Sequence, residues 1–280
     1  MRELLEKIGT LDRRIIFVLM ALAIVIPTAV PLGLPFSVSQ PVQDIYDAVE
    51  ALPPGSKVLV AVDFDPGSKP ELYPFLIAIY RHLFSKEGVV VITSSLWPAA
   101  PPLANAALQM VAVEEYGKEY GTDFVNLGFK EGKHIVILGM GESIPGVFPQ
   151  DYRGTPLAEL PAMKGIQTLK DFDLIINISA GTPGTKEWVQ LAQSRYSLKL
   201  AAACTSVSAP DYIPYYQSGQ LVGLSGGMAG SAEYEKLIRH AGLGTSGMDV
   251  LSIGHLLIVV AIILGNISYF MTRRKRKGGR

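Results

Sequence analysis

The last thirty residues constrain this chain most, because they join a long apolar run to a basic end. From Val250 to Phe270 the chain carries no acidic residue, lysine or arginine. About 20 apolar residues in a helix suffice to cross a hydrocarbon core roughly 30 Å thick. The sequence therefore predicts a transmembrane helix over residues 250–271.

A basic cluster follows this run and consists of Arg273, Arg274, Lys275, Arg276 and Lys277. An excess of lysine and arginine beside a span marks its cytoplasmic side. Such a cluster also attracts anionic headgroups, at about 1 kcal/mol per residue. We expect the tail over residues 272–280 to be cytoplasmic, with these five side chains at the membrane surface.

A second apolar run, IIFVLMALAIVIPTAV, lies between Arg14 and Asp44. It is long enough to span a bilayer, and the two arginines that precede it favour a cytoplasmic N-terminus. A cleaved signal peptide is the alternative interpretation, because a basic segment precedes the run and Pro27-Thr28-Ala29 supplies small residues. The run is, however, longer than the usual signal-peptide apolar segment of about 7 to 15 residues. We therefore expect a transmembrane helix over residues 15–34.

The charges are distributed unevenly along the chain. The formal net charge is zero, yet residues 35–250 hold 15 basic and 22 acidic residues, a net charge of −7, while both tails are basic. Two spans with both ends inside place residues 35–249 on the outer side of a cell membrane, between cytoplasmic tails 1–14 and 272–280. The sequence thus predicts a two-pass membrane protein with an extracytoplasmic domain.

Between the two spans, short apolar segments alternate with helical patterns. The segment Lys57–Val62 (KVLVAV) is typical of a buried strand, and Ser68-Lys69-Pro70-Glu71 after it has the form of a capping box that starts a helix. Thr182-Pro183 likewise has the form of an N-cap followed by a proline in the first turn. Comparable apolar runs predict further strands at 89–93, 124–127, 134–138 (HIVIL), 173–178, 198–204 and 221–224.

These patterns together indicate a fold class. Strands that read as continuous apolar runs, with helices between them, are typical of a parallel sheet covered on both faces. We therefore predict an α/β fold with a doubly wound, mainly parallel sheet of five or six strands, Rossmann-like or flavodoxin-like, flanked by two transmembrane helices. About 210 residues are enough for one such domain with its own core.

The fold class predicts where a ligand site would lie, since ligands of open α/β sheets bind beyond the carboxyl ends of the strands. The polar residues expected at that edge are Asp63, Asp65, Thr93, Glu142, Thr182 and Thr205. The four histidines are scattered, there is one cysteine, and neither Cys-x-x-Cys nor G-x-S-x-G occurs. Gly223–Gly230 lacks the spacing of a phosphate-binding loop. We expect no catalytic set, no metal and no cofactor.

Asp63-Phe64-Asp65 follows a predicted strand and Thr93 ends the next one. This arrangement resembles the first two motifs of the haloacid dehalogenase superfamily. The resemblance implies that Asp63 is a nucleophile and Asp65 a general acid and base of a hydrolase. It covers a short stretch, with no lysine at an obvious third-motif position and no acidic pair after HIVIL. The alternative is that both aspartates satisfy backbone donors in a tight turn.

The predicted topology favours an interaction role. We expect a structural or interaction component of an oligomeric membrane assembly, in contact with the lipid bilayer and with copies of itself or another membrane protein. A ligand-binding sensor or carrier, and a hydrolase acting at the crevice, are the alternatives. With predicted tails this short, a sensor would have to pass its signal to another protein. Nucleic acid is not an expected partner, because a basic tail of this length is more typical of a topology signal.

Overall fold

The computed structural model describes residues 12–30 and 32–277, with side chains as far as Phe270. The chain divides into two compact units. One is the α/β domain Phe36–Gly244, and the other consists of the terminal segments, up to Pro35 and from Thr245. Most of the predicted tail 1–14 therefore lies outside the described residues.

The domain is built around one parallel sheet of six strands: β1 (Lys57–Asp63), β2 (Val90–Ser95), β3 (Phe124–Phe129), β4 (Leu174–Ser179), β5 (Leu200–Cys204) and β6 (Gly223–Gly226). Their order is β3-β2-β1-β4-β5-β6, which is the Rossmann-like order and not the flavodoxin-like one. The predicted α/β class with a parallel sheet is therefore confirmed. The strand order reverses between β1 and β4, so the topological switch point lies at their carboxyl ends.

Helices occur in both units: α1 (Arg13–Ala29), α2 (Gln40–Glu50), α3 (Lys69–Ser85), α4 (Ala100–Leu108), α5 (His134–Glu142), α6 (Ile144–Val147), α7 (Thr185–Trp188), α8 (Ser194–Tyr196), α9 (Ala209–Gln217), α10 (Gly227–Leu237) and α11 (Leu243–Lys277). Helix α4 continues as a π-helical segment, Gln109–Glu115, and α7 as another, Val189–Gln193. Short 3-10 turns at Leu157–Glu159, Pro161–Met163 and Leu169–Asp171 interrupt the long connection from α6 to β4.

Each face of the sheet packs against its own apolar core. Val58 and Val60 of β1 belong to one core, whereas Leu59 and Ala61 belong to the other, with Trp188. All of these side chains are fully buried. Alternate residues of a strand point to opposite faces, so a strand that is covered on both sides reads as a continuous apolar run.

The segment His134–Leu138 (HIVIL), predicted to be a strand, is the start of helix α5. The prediction was wrong because a short apolar run does not distinguish a buried strand from a buried helix. Val136, Ile137 and Met140 are buried, whereas Ile135 is 75% exposed. This spacing of three to four residues is that of one helix face.

Two helices begin differently from the prediction. Ser68 precedes α3, but its side chain makes no capping hydrogen bond. Thr182 does not cap a helix, because α7 begins three residues later. There the carboxylate of Glu187 accepts a hydrogen bond from Gly184 N at 2.8 Å. Both predicted side-chain caps are therefore wrong, and α7 uses a carboxylate from its own first turn.

Among the described residues, one helix is long and apolar enough to cross a membrane. It is the part of α11 from Leu243 to Phe270, which has 28 residues. None of its most apolar 18-residue stretch is buried. Helix α1, at the first predicted span, has 17 residues, a length of about 25 Å at 1.5 Å per residue. Length and composition thus support a membrane span at α11. Within the described residues α1 does not meet the same combined measure, so the span predicted over residues 15–34 is not confirmed and stays a proposal.

A carboxylate joins the two segments of the terminal unit. Asp249 of α11 is 2% exposed and accepts hydrogen bonds from the N–H groups of Leu32, Gly33 and Leu34, at 2.8, 2.9 and 3.0 Å. Hydrogen bonds to an ionised carboxylate are stronger than those between neutral groups. Because Leu32–Leu34 follow α1, the chain just past the end of α1 lies beside the first turns of α11.

Candidate functional site

The carboxyl ends of the central strands bring four residues into one row across the sheet. Asp63 of β1 pairs with Ser179 of β4, Ser179 pairs with Cys204 of β5, and Cys204 pairs with Gly226 of β6. Asp63 and Ser179 therefore flank the switch point, which is where ligands of such sheets usually bind.

Asp63 is fully buried, and its carboxylate accepts three internal hydrogen bonds. Oδ1 accepts from Leu96 N at 2.7 Å, and Oδ2 accepts from Asn177 Nδ2 at 2.8 Å and from Trp188 Nε1 at 3.0 Å. Burial raises the pKa of Asp63 to about 7, because lost hydration penalises the charged form more than the three donors favour it. These bonds join β1, β4, α7 and the segment after β2, so Asp63 organises the switch point from inside.

A second set of polar groups surrounds Asp63. Thr185 Oγ1 donates to Asn177 Oδ1 at 2.9 Å, which directs the Asn177 Nδ2 group towards Asp63. Thr185 N donates to Ser179 Oγ at 3.1 Å. Ser179 was expected at this edge, but Asn177 and Thr185 were not predicted, although Asn177 stands out as an amide inside the apolar strand LIINIS. A buried amide requires hydrogen-bond partners, and that was the signal for this network.

The second aspartate, Asp65, is half-buried and accepts a hydrogen bond from Ser68 N at 3.1 Å. This is the turn interpretation, in which a side chain satisfies a backbone donor. The carboxylate of Glu71, in the first turn of α3, accepts hydrogen bonds from Ser206 N and Ser206 Oγ, both at 2.8 Å. The carboxylates of this region thus tie loops and helices together.

Two predicted site residues do not lie at the carboxyl edge. Thr93 is buried within β2, where its Oγ1 lies 2.8 Å from the hydroxyl oxygen of Tyr80. Glu142 is exposed at the end of α5, because HIVIL is a helix and not a strand. The prediction that they share a crevice with Asp63 was therefore wrong.

The other predicted residues do follow the central strands. Thr205 comes directly after β5, is 7% exposed and donates from its Oγ1 to Ser208 Oγ at 3.1 Å. Thr182 is exposed in the loop between β4 and α7. Together with Asp63 and Asp65, these residues lie after or at the ends of β1, β4 and β5, which are neighbours in the sheet.

In the part of the chain that the structure describes, no group of three or more His, Cys, Asp and Glu residues could hold a metal ion. The single cysteine, Cys204, is buried and free. Burial raises the pKa of its thiol to about 12, so the thiol stays protonated at neutral pH. The reactive form of cysteine is the thiolate, and Cys204 is therefore expected to be inert.

The five predicted membrane-surface residues form the C-terminal end of α11: Arg273, Arg274, Lys275, Arg276 and Lys277. Their backbone is helical, so the basic cluster continues the apolar helix without a break. Their side chains lie outside the described part of the structure, and their contact with lipid stays a prediction.

A cavity of about 440 Å³ lies at the other end of the domain. Its walls come from the C-terminal ends of α2, α3 and α10 and from Tyr116. We call it the amino-edge cavity, since helices that connect parallel strands end near the strands' amino ends. Its charged and titratable lining includes Arg81, Arg239, His82 and His240. None of these four residues was predicted to belong to a site.

His82 is 4% exposed and bonded at both ring nitrogens. Nε2 lies 2.9 Å from Glu50 Oε1, and Nδ1 lies 2.7 Å from the Tyr234 hydroxyl. A carboxylate can only accept, so Nε2 carries the hydrogen and Nδ1 accepts from Tyr234. Burial lowers the pKa of His82, so the ring is neutral at neutral pH. Lys86 and then His82 lower the pKa of Glu50 to about 2; with His82 neutral, Lys86 is the charged partner.

The two arginines of the amino-edge cavity differ in their contacts. Arg81 makes a bidentate ion pair with Glu115, with both N–O distances at 2.7 Å. The guanidinium of Arg239 has no ion pair within the described residues. It lies close enough to Tyr46 to oppose the rise that burial causes in the pKa of that hydroxyl. Arg239 is thus an exposed cation with a free guanidinium at the wall of the cavity.

Comparison with known proteins does not place the chain in a family. No protein-family model matches the chain, and no curated protein matches it. A solved structure titled "Trehalose-6-phosphate synthase. OtsA" is similar at 10% identity and a TM-score of 0.31. The match covers 89% of this chain and 48% of that one, so the chain spans about half the length of that protein. A likeness this low carries no functional argument.

Proposed function

We propose that this protein is a membrane-anchored α/β domain that acts as a structural or interaction component of a membrane protein assembly. The observation that carries the proposal is the helix Leu243–Phe270, whose most apolar stretch is not buried by the described parts of the chain. An exposed apolar surface of this length requires lipid or other apolar helices around it. The helix follows the last residues of the domain directly in the chain, and its insertion would tether the domain to the membrane.

The proposal includes a two-pass topology, with both termini cytoplasmic and the domain outside. The bonds from Leu32–Leu34 to Asp249 support it, because they keep the end of α1 beside the start of α11. Ala23 and Ser268 are buried residues of these helices, and small side chains are typical of contacts between membrane helices. The 17 residues of α1 are at the lower end of the range of about 17 to 25 for a span.

The hydrolase alternative has less support at the carboxyl edge. Asp63, the nucleophile that the haloacid dehalogenase resemblance implies, has no exposed surface and uses both oxygens for internal donors. Asp65, the implied acid and base, accepts from a backbone N–H in its own turn. A catalytic carboxylate must come within hydrogen-bond reach of its substrate. These contacts favour a structural role for both residues, and the ligand-binding alternative has its support in the amino-edge cavity.

Thiol labelling in intact cells tests the topology. The native Cys204 is buried and its thiol has a raised pKa. We therefore expect a maleimide to react with an introduced cysteine and not with Cys204. A membrane-impermeant maleimide should label Glu114→Cys in the domain on intact cells, and Lys277→Cys only after permeabilisation. Labelling of Lys277→Cys without permeabilisation would contradict the proposed orientation. The intact mass of the mature protein decides separately whether the N-terminal run is cleaved.

Crosslinking in native membranes tests the interaction role. A short amine-reactive crosslinker should give a discrete species of higher mass. In detergent, the protein molar mass measured by light scattering should exceed that of a monomer. The most exposed large apolar side chains of the domain are Val207, at 86%, and Ile135, at 75%. Val207→Glu and Ile135→Glu are therefore the first variants to test for weaker assembly, with Thr182→Glu at an exposed polar position as the control. A strict monomer without any crosslinked neighbour would refute the proposal.

A further inference from the structure

We propose that the amino-edge cavity binds the phosphate group of an anionic ligand, with Arg239 as its main charged partner. The volume of about 440 Å³ lies within the usual range of about 300 to 1,000 Å³ for small-molecule sites. An arginine fork is well suited to phosphate, because its planar donors match two oxygens at once. The site lies away from the carboxyl edge, and the inference does not depend on the proposed interaction role.

The charges around the cavity leave one cation uncompensated. Arg81 is paired with Glu115, and Glu50 is paired with Lys86. Arg239 lines the same space, and no ion pair or side-chain hydrogen bond of its guanidinium occurs within residues 12–30 and 32–277. An anion in the cavity would supply the missing partner.

The backbone around Arg239 shows how α10 ends. The φ of Arg239 is +55°, at a position where glycine is the usual residue because it has no Cβ. Arg239 N donates to Lys236 O at 3.2 Å and His240 N donates to Glu235 O at 3.0 Å, so the backbone itself satisfies these last carbonyl groups of the helix. The guanidinium of Arg239 is therefore not used to cap the helix.

Other groups of the cavity fit the same ligand chemistry. Tyr116 and His240 also line the cavity, and no ion pair or hydrogen bond of the Tyr116 hydroxyl or the His240 ring occurs among the described contacts. Tyr46 and His82 also line the cavity. Their rings stack with centroids 4.7 Å apart, and both ring nitrogens of His82 are hydrogen-bonded, so this part of the wall is preformed. A preformed wall lowers the entropic cost of binding.

The phosphate could come from two sources with the same chemistry. One is a small soluble molecule that carries a phosphate, and the other is the headgroup of an anionic phospholipid. The second source has to be considered because Leu243, the first residue of the apolar helix, is only four positions after Arg239. The two sources differ in whether the ligand is dissolved or part of the bilayer, and an experiment with two arms separates them.

Thermal unfolding of the full chain, followed by tryptophan fluorescence, tests the proposal. In the first arm, protein in dodecyl maltoside is titrated with inorganic phosphate or glycerol 3-phosphate against sodium chloride of equal ionic strength. In the second arm, nanodiscs of phosphatidylcholine alone are compared with nanodiscs that also contain phosphatidylglycerol. We expect a saturable rise in Tm in at least one arm, with a midpoint at least tenfold weaker for Arg239→Gln. Lys133→Gln is the matched control, since Lys133 has a φ of +48° and does not line the cavity.

Each outcome decides the question. A response to soluble phosphate assigns the site to a small molecule, and a response to phosphatidylglycerol assigns it to a headgroup. No rise in either arm, an equal rise with sodium chloride, or an unchanged midpoint in Arg239→Gln overturns the proposal. If Arg239→Gln does not fold, Arg239→Gly serves instead, because glycine relieves the positive φ. That variant should melt at a higher temperature without ligand and still lose the response.

Discussion

Replacing Asp63 with asparagine should remove one component of the pH dependence of stability. The pKa of Asp63 is about 7 in the folded protein, against an ordinary value of 3.8. Between these values the folded protein holds a proton that the unfolded chain has released, so the contribution of Asp63 to stability rises as the pH falls from about 7 to about 4. About 3 pKa units at 1.36 kcal/mol each correspond to about 4 kcal/mol. Asparagine does not titrate and loses this component.

Guanidinium unfolding of the full chain in dodecyl maltoside, between pH 4.5 and 8, measures the effect. Trp188 donates its Nε1–H to Asp63, so tryptophan fluorescence reports on the region that changes. The quantity to compare is the difference in unfolding free energy between the wild type and Asp63→Asn at each pH. Titrating groups that the two proteins share cancel in this difference. It should grow in favour of the wild type on acidification, by most of the 4 kcal/mol expected above.

Asp65→Asn, two residues further along, controls for the loss of a carboxylate from the same turn. Parallel pH curves for the wild type and Asp63→Asn would refute the argument that burial outweighs the three donors. In that case Leu96 N, Asn177 and Trp188 would hold Asp63 ionised throughout this pH range. A difference that grows towards alkaline pH would show that these donors hold its pKa below the ordinary value.

Three further substitutions test packing, titration and the terminal unit. Gly223→Ala should cost about 1 to 3 kcal/mol in a thermal melt, because the added Cβ would lie 2.7 Å from Ile45 N; an unchanged Tm would mean that α2 can move away from β6. His82→Gln should gain Tm relative to the wild type as the pH falls below about 6.5, since burial lowers the pKa of His82 and the unfolded ring takes up its proton first; a constant difference in Tm would contradict this. Asp249→Ala should speed hydrogen exchange at Leu32–Leu34, which lose their shared acceptor; unaltered exchange would point to another acceptor.

The sheet could be predicted from the sequence because its strands are covered on both faces. Lys57–Val62 and 173–178 are apolar runs of strand length, and both segments are central strands. Burial on two faces removes the alternation that would otherwise mark a strand, but it leaves a continuous run that is equally clear. The fold class followed from several such runs with helical patterns between them.

Helix α5 could not be predicted because its glycines look like helix breakers. Gly139 and Gly141 lie in a helix interior, where glycine is unfavourable. A Cβ on Gly139 would lie 2.7 Å from Val147 Cγ2, and one on Gly141 would collide with the Tyr196 ring. Gly139 therefore permits close packing against α6, the next helix, and Gly141 permits it against Tyr196, which is distant in the chain. No local pattern reveals the second contact.

The two candidate sites differ in how far the sequence predicted them. The position of Asp63 followed from the fold class, yet its partners Asn177 and Trp188 are 114 and 125 residues away. The amino-edge cavity was not predicted at all, because Arg81 and Arg239 come from helices far apart in the chain. Spacing along the chain carries no information about such contacts, which depend on how the helices end beside one another.

We expect the bonds to Asp249 to form late during synthesis. They join positions 215 to 217 residues apart. The ribosome therefore synthesises the whole domain after Leu32–Leu34 and before Asp249. Within the domain, Ser39 N donates to Glu233 at 2.9 Å and the Lys236 ammonium donates to Phe36 O, so folding brings the domain's own ends together. Closing a loop of that length costs entropy when the chain is flexible. A domain that folds first has already closed this loop. The contact between the end of α1 and the start of α11 then forms last, after α11 has been synthesised.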